Sequence, residues 1–473
     1  MPPVDDEPRF TRRVRSKLRR EAHDLLQPGP PSVQLMRPIG PEVPDDARVQ
    51  EVLDLCMRVG EVLMSSGESV DETTAVMLRL AAASGLSAVD VDITFTSVTM
   101  CCHRGMAATP VTSMRLVQYR SLDLTRLLAV GRVIDRLEAG TVDVRTASTE
   151  LADAVNARHP YPRWVATVGW AGLAASIAVL LGGGWITGLA AFGTTAVIDR
   201  VGRLLNRRNL PAFFQQIAGG ALATGATVAL FGLGAFPPGT RPSLVIAAAI
   251  TVLLSGLSLV GSVQDAVTGY YVTAAGRGVE IALLSAGLLV GVVLGLRIGL
   301  EFAPPLEVAG ELPTGAGRLW ISLLAAGTAA ASYALAGYAP VRSLLAAGAA
   351  GAAGFGTFSL LSQVAGVGPV PATGAAAVVV GLAAGLFRRG GGVPPLAITL
   401  AGITPLLPGF SVYRGFYQLA AEGGVLDGLV TMSLALGIGL ALAAGVAFGD
   451  YLTRPNRRVA SNSSDPAPEP GAA

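Results

Sequence analysis

The sequence predicts a polytopic α-helical membrane protein, with about ten transmembrane helices as two inverted five-helix repeats, preceded by a small cytosolic α+β domain. Three observations lead there. The 473 residues are 51% hydrophobic and only 14% charged, unlike an ordinary soluble enzyme. The apolar residues are concentrated after Arg163, while the preceding residues have normal polar content. A stretch within the apolar region reappears near its end at a constant offset.

Residues 1–46 read as a disordered basic arm, rich in Arg and Pro and without the apolar core of a signal peptide, so the start is expected to be cytosolic. Phe10, Val14 and Leu18 stand four apart among cations, which leaves a short lipid-surface helix as the alternative. The formal net charge of +2 gives no global basic field, and no nucleic-acid partner is expected.

Residues 47–158 read as the α+β domain. Val49, Val52, Leu53, Cys56, Met57, Val59 and Leu63 recur at helical spacing up to Ser65-Ser66-Gly67. Ser69 and Glu72 form a capping box, and Val76, Leu78, Leu80 and Ala81 continue a second helix until Gly85. Residues 89–100, VDVDITFTSVTM, alternate with Val89, Val91, Ile93 and Phe95 on one face, and residues 109–120, TPVTSMRLVQYR, answer them as a β-hairpin or neighbouring strands. Helical patterns follow at 124–138 and 144–156.

This domain offers little chemistry. Cys56, Cys101 and Cys102 form neither a disulfide framework nor a metal set, and His103 lacks a nearby carboxylate in sequence to orient a triad. There is no phosphate loop, and no cofactor is expected.

Residues 159–301 and 302–452 read as the two membrane repeats, followed by a disordered tail at 453–473. Apolar segments of roughly spanning length fall at 164–181, 185–201, 212–233, 243–261, 279–300, 319–336, 341–361, 370–387, 395–418 and 426–448. Arg200, Arg203, Arg207, Arg208, Arg388, Arg389, Arg454, Arg457 and Arg458 then all face the cytoplasm, and acidic Glu301, Glu307 and Glu311 face outside. The protein is expected in the cell membrane with both termini on the cytoplasmic side.

The internal repeat aligns Ile250, Thr251, Leu253, Leu254, Gly256, Ser258 and Gly261 with Ile403, Thr404, Leu406, Leu407, Gly409, Ser411 and Arg414, always 153 positions apart. Five helices per half force the second half to enter upside down, an arrangement typical of secondary transporters. Broken helices in such folds free backbone N–H and C=O groups near the midplane, and Pro405, Pro408, Gly256 and Gly409 mark such breaks. Kinks that merely allow close packing are the alternative.

Several polar residues lie near these breaks. Asp265 is a candidate for ion coupling or ammonium binding, or else an interfacial cap, and Gln264 adjoins it. Tyr413, Arg414, Tyr417 and Gln418 follow the second break, and Arg414 either binds a carboxylate or reaches to the interface. Thr194, Thr195, Thr357 and Ser359 are candidates for hydroxyl contacts or for back-bonding within their helices. Asp199, Glu280, Arg297 and Gln363 read as interfacial.

Residues 59–100, VGEVLMSSGESVDETTAVMLRLAAASGLSAVDVDITFTSVTM, resemble the soluble start of the threonine/serine exporter family. Residues 253–280 and 406–417 resemble that family's paired motifs, and the likeness extends over about 47–450. It places Gly256, Asp265, Gly269, Gly276 and Arg277 in the first motif and Pro408, Gly409, Tyr413, Arg414 and Gly415 in the second, with Ser255 standing where the family has Pro. The resemblance implies efflux of threonine, serine or similar small amino acids driven by the proton motive force, so substrate-binding or coupling roles fall on these motif residues together with Ser258, Gln264 and Ser411. Expected partners are the amino-acid substrate, protons and the lipid bilayer, with a homo-oligomer left open. A membrane-anchored hydrolase, or a regulatory module in the cytosolic domain, is the rival reading.

Overall fold

The structure, a computed structural model, describes residues 45–104, 108–117, 122–254, 256–300, 318–388, 395–420 and 425–453. Residues 1–44 of the basic arm, Ser255, the acidic 301–317 stretch, Arg389 and the tail after Thr453 lie outside the described residues, while Asp46 and Thr453 belong to helices.

The chain begins with two helices, α1 (Asp46–Ser66) and α2 (Val70–Ala83). Helix α1 stops at Gly67, whose φ of 93° lets the chain turn back through the left-handed region. Ser69 caps α2, its hydroxyl accepting from the Glu72 N–H at 3.4 Å. Strands β1 (Val89–Thr94), β2 (Ser97–Cys102) and β3 (Val111–Leu116) form one antiparallel sheet in chain order, with Val89 opposite Cys102 and Ser97 opposite Leu116. The run read from sequence as one strand is therefore itself a hairpin. It turns at Phe95, whose φ of 42° is incompatible with a strand, so the alternation of Val89, Val91 and Ile93 ends there. Helices α3 (Leu124–Glu138) and α4 (Val144–Asn156) start at Asp123 and Asp143, whose carboxylates accept from Arg126 and Thr146 N–H groups.

The remaining helices are mostly apolar. They are α5 (Arg163–Leu180), α6 (Trp185–Arg207), α7 (Ala212–Gly232), α8 (Ser243–Leu253), α9 (Gly256–Val267) and α10 (Tyr271–Leu300), then α11 (Leu319–Ala336), α12 (Val341–Ser359), α13 (Pro369–Arg388), α14 (Pro395–Ile403), α15 (Gly409–Ala420) and α16 (Val425–Thr453). Among the described residues, six helices are long and apolar enough to cross a membrane, and the bent pairs α8–α9 and α14–α15 raise this to eight. This is a polytopic membrane protein. Helices α6 and α7 fall below that criterion, α6 because Asp199, Arg200, Arg203 and Arg207 dilute it and α7 because Gln215 and Gln216 do.

The two sets of helices pack alike. In the first, α5–α6, α6–α7, α7–α10, α5–α8, α6–α8, α7–α8 and α9–α10 are in contact, and in the second so are α11–α12, α12–α13, α13–α16, α11–α14, α12–α14, α13–α14 and α15–α16. Small residues allow the closest approaches: a Cβ on Gly291 of α10 would lie 2.9 Å from the Ile217 carbonyl carbon of α7, and one on Gly445 of α16 would lie 2.8 Å from Ala377 Cβ of α13. The sets meet through α5 with α11, α8 with α15, α9 with α16 and α10 with α15.

The fourth and fifth segments extend beyond the spans read from sequence. Residues 262–278, which lie between the expected fourth and fifth spans, are nearly all helical, separated only by a turn at Thr268–Tyr270 in which Gly269 has φ 94°. That extension carries Asp265 and Arg277 to the unit formed by α1–α4 and the sheet.

Candidate functional site

Both bent helices break in the same way. Leu254 has φ −65° and ψ 136°, and its repeat mate Leu407 has φ −61° and ψ 137°. An extended leucine thus lies at each break, preceded in the second by a 3-10 turn at Thr404–Leu406, and the axes bend by 50° in the first pair and 46° in the second. The matching extends to side chains. Thr251 donates to the Ala247 carbonyl and Thr404 to the Leu400 carbonyl, each at 2.8 Å. Pro408 provides the carbonyl that accepts from Val412 N–H and begins α15.

The two breaks touch. A Cβ on Gly409 would stand 2.7 Å from Thr251 Cβ and 3.1 Å from its Cα, so only glycine lets the start of α15 lie against the end of α8. Tyr413, one turn along α15, is fully buried among Ile246, Ile250, Leu288 and Val292. Among the described residues its hydroxyl has no protein partner, an expensive arrangement in an apolar bundle unless water or a ligand supplies one. At the first break the Leu253 carbonyl accepts from Gln216 Nε2 of α7 at 3.1 Å. Gln216 escaped the sequence reading, although adjacent glutamines within an apolar helix are a usable signal.

Thr194 and Thr195 of α6, Thr224 of α7 and Ser359 of α12 are also buried with hydroxyls that lack protein partners among the described residues, whereas Thr357 bonds back to Ala353. Ala191 and Ile198, on the same stripe of α6 as Thr194 and Thr195, pack against Val245, Ala248 and Ala249 of α8, so these hydroxyls lie on the side of the first break.

Asp265 stands apart from this group, at the far end of α9. It is wholly buried, and its Oδ2 pairs with Arg277 Nη1 of α10 at 2.9 Å, an arginine itself only 2% exposed. Its Oδ1 accepts from the Val70 N–H at 2.9 Å, the first residue of α2, where the helix dipole favours an anion. Arg277 Nη2 donates to the Glu68 carbonyl at 3.3 Å. The guanidinium covers Gly261, where a Cβ would lie 3.3 Å from Arg277 Cζ, so the repeat position that holds Arg414 in the second half has no room for a side chain in the first.

The other predicted residues are dispersed. Gln264 and Ser411 are half-buried and Gly269 forms the α9–α10 turn. Arg414 and Arg297 are exposed, while Glu280 is half-buried. Asp199 holds α5 to α6, accepting from Thr167 at 2.7 Å and pairing with Arg203 at 2.8 Å.

In the α+β unit, His103 Nε2 lies 3.0 Å from Asp90, a carboxylate thirteen residues away that the local sequence did not bring to attention, but both side chains are exposed. Burial pushes the Cys56 thiol up to about 12 and raises Cys102 as well, which removes both as ready nucleophiles. Among the described residues no three histidine, cysteine or acidic side chains converge as a metal site.

Comparison with known proteins follows this division. A threonine/serine exporter family model matches residues 54–299, and a second, described as "Threonine/Serine exporter, ThrE", matches residues 322–452. A "Probable threonine/serine exporter" of Mycobacterium tuberculosis is 39% identical over 427 residues, covering 89% of this chain and 80% of the relative. A "Threonine/serine exporter" of Corynebacterium glutamicum is 35% identical, covering 89% and 86%. A shorter relative, the "Probable succinate transporter subunit YjjP" of Escherichia coli, is 24% identical over 52% of this chain and 94% of its own length. No solved structure matches.

Proposed function

Because this chain belongs to the threonine/serine exporter family, we propose that it exports threonine, serine or similar small amino acids from the cytoplasm across the cell membrane, driven by the proton motive force. It is a transporter and not an enzyme.

In this reading the membrane part has ten spans, α6 and α7 completing the eight that satisfy length and composition alone. Five spans per half invert the second half relative to the first, and the like packing of the two sets supports that arrangement. With the arginine-rich connections inside, both termini are cytoplasmic, and the unit of α1–α4 and the sheet is the cytosolic α+β domain.

The observation that carries the proposal is the meeting of two matched helix breaks at Thr251 and Gly409. A zwitterionic substrate needs an anion site and a cation site. Broken helices offer N–H groups and carbonyls for these without fixed charges in the membrane. The buried hydroxyls of Tyr413, Thr194 and Thr195 are suited to a small hydroxy amino acid. Asp265 is the proton-coupling carboxylate, at the inner end of the first broken helix, with Arg277 as its counter-charge.

Counterflow in proteoliposomes with a panel of labelled amino acids tests the substrate assignment. Exchange of threonine and serine in preference to bulky or dicarboxylic substrates is expected. Exchange of succinate with no threonine flux would overturn it.

A further inference from the structure

The α+β unit is attached to both sets of membrane helices, but by different means. Its apolar core continues into the second set: Leu124, Leu127 and Leu151 belong to one buried cluster with Ala330 and Ala334 of α11, Ala347 of α12 and Ala397 and Ala401 of α14. The α11–α12 turn adds hydrogen bonds, with Leu124 N–H donating to Gly337 at 2.9 Å and Tyr161 to Ala339 at 3.3 Å. His159 stacks on Tyr338 with ring centroids 4.5 Å apart and pairs with Asp123 at 2.7 Å.

The attachment to the first set lies at the α9–α10 corner and is richer in polar contacts, with Tyr270 of that corner also packing against the apolar cluster. Its polar contacts include Asp265 and Arg277 at the start of α2, and Thr273, whose hydroxyl accepts from Phe95 N–H at 3.0 Å and donates to the Ile93 carbonyl at 3.3 Å. The Phe95 ring lies on Gly276, where a Cβ would be 3.0 Å from the ring and 3.5 Å from Phe95 Cβ.

We infer that the α+β unit is the cytoplasmic gate of the transporter, fixed to the second half and latched to the first through Asp265, Arg277, Thr273 and Phe95. The inference rests on the export reading above. If the halves rock against one another during transport, a body bridging them cannot hold both contacts throughout. An apolar core has no cheap open state in water, because separation exposes all of it. Hydrogen bonds and a charge pair can be exchanged for water at small net change, so the latch is the contact that releases. The latch also sits on the helix that carries the first break, so its release is felt at the proposed substrate path.

A reversible lock tests this. Phe95→Cys with Gly276→Cys places two Cβ atoms 3.5 Å apart, within disulfide geometry. Cys56, Cys101 and Cys102 are replaced by alanine in that background. Oxidised protein should carry threonine roughly tenfold more slowly than reduced protein, with recovery on adding dithiothreitol. Undiminished flux by fully crosslinked protein would overturn the gate.

Hydrogen exchange of the full-length protein in nanodiscs supplies a readout that needs no substrate. Asp265→Asn should speed exchange in the first turn of α2 by about tenfold or more while leaving α3 at its wild-type rate. Unchanged α2 exchange would show that the latch does not depend on this pair. Threonine flux by the wild type reports separately on the export reading.

Discussion

The Asp265–Arg277 pair allows a quantitative test in which folding and transport come apart. Both side chains are almost entirely buried, so removing one leaves the other as an uncompensated charge. Either Asp265→Asn or Arg277→Met should therefore cost about 3–5 kcal/mol of local stability. Asp265→Leu with Arg277→Met removes both charges. What remains is the Val70 N–H without its acceptor, an orphan worth about 1–3 kcal/mol, and the Glu68 carbonyl without its long, part-buried bond from Arg277, a smaller loss. The double variant should thus be more stable than either single variant, a sign reversal that independent sites cannot produce. Exchange protection of α2 in nanodiscs, with melting in detergent as a second measure, gives the ordering. Threonine efflux should be lost in the double variant despite its recovered fold. A double variant at least as unstable as the sum of the singles would refute the pairing, and one that folds and exports normally under a proton gradient would refute the coupling role.

Three further outcomes follow from the geometry. Gly409→Ala should lower stability by about 1–3 kcal/mol and slow export, because its new methyl meets the Thr251 backbone, and thermal melting with flux checks both effects. Gln216→Ala should cost about 1–3 kcal/mol by leaving the Leu253 carbonyl at the break without its donor, whereas Gln215→Ala, whose side chain bonds the exposed Leu210 carbonyl at a helix start, should have a smaller effect on melting. With its thiol pushed up to about 12, Cys56 is almost entirely protonated at pH 8, so a maleimide should label Cys101 first and reach Cys56 only on denaturation, as mass spectrometry of labelled peptides would show.

Much of the local structure was legible because local chemistry determines it. Ser69 with Glu72, Gly67 and Gly85 mark helix ends through caps and left-handed residues, and the bounds of α3 and α4 follow from apolar spacing and their aspartate caps. The hairpin within 89–100 was hidden, since Phe95 is a good strand former whose turn conformation accompanies its contact with Gly276. The matched breaks were visible as a repeat through Ile250, Thr251, Leu253, Leu254, Gly256 and Ser258, and an extended leucine lies at the break in both copies.

The candidate site was legible as a set of residues more than as an arrangement. Asp265 stood out as an ionisable group beside an apolar segment and Arg277 only through the family motif, but the partner Val70 lies 195 positions away and no local pattern announces it. Gly261 and Gly276 look like further packing glycines until the Arg277 guanidinium and the Phe95 ring are seen against them. Tyr413 was singled out by position, while the lack of a partner for its hydroxyl among the described residues depends on the surrounding helices.

The central claim, threonine export coupled to protons through Asp265, is tested most directly by efflux from proteoliposomes with and without an inward proton gradient. Wild-type protein should release labelled threonine faster when the gradient is imposed, and Asp265→Asn, reconstituted in equal amount, should show no acceleration. Gradient-driven threonine efflux by Asp265→Asn at the wild-type rate would contradict the account.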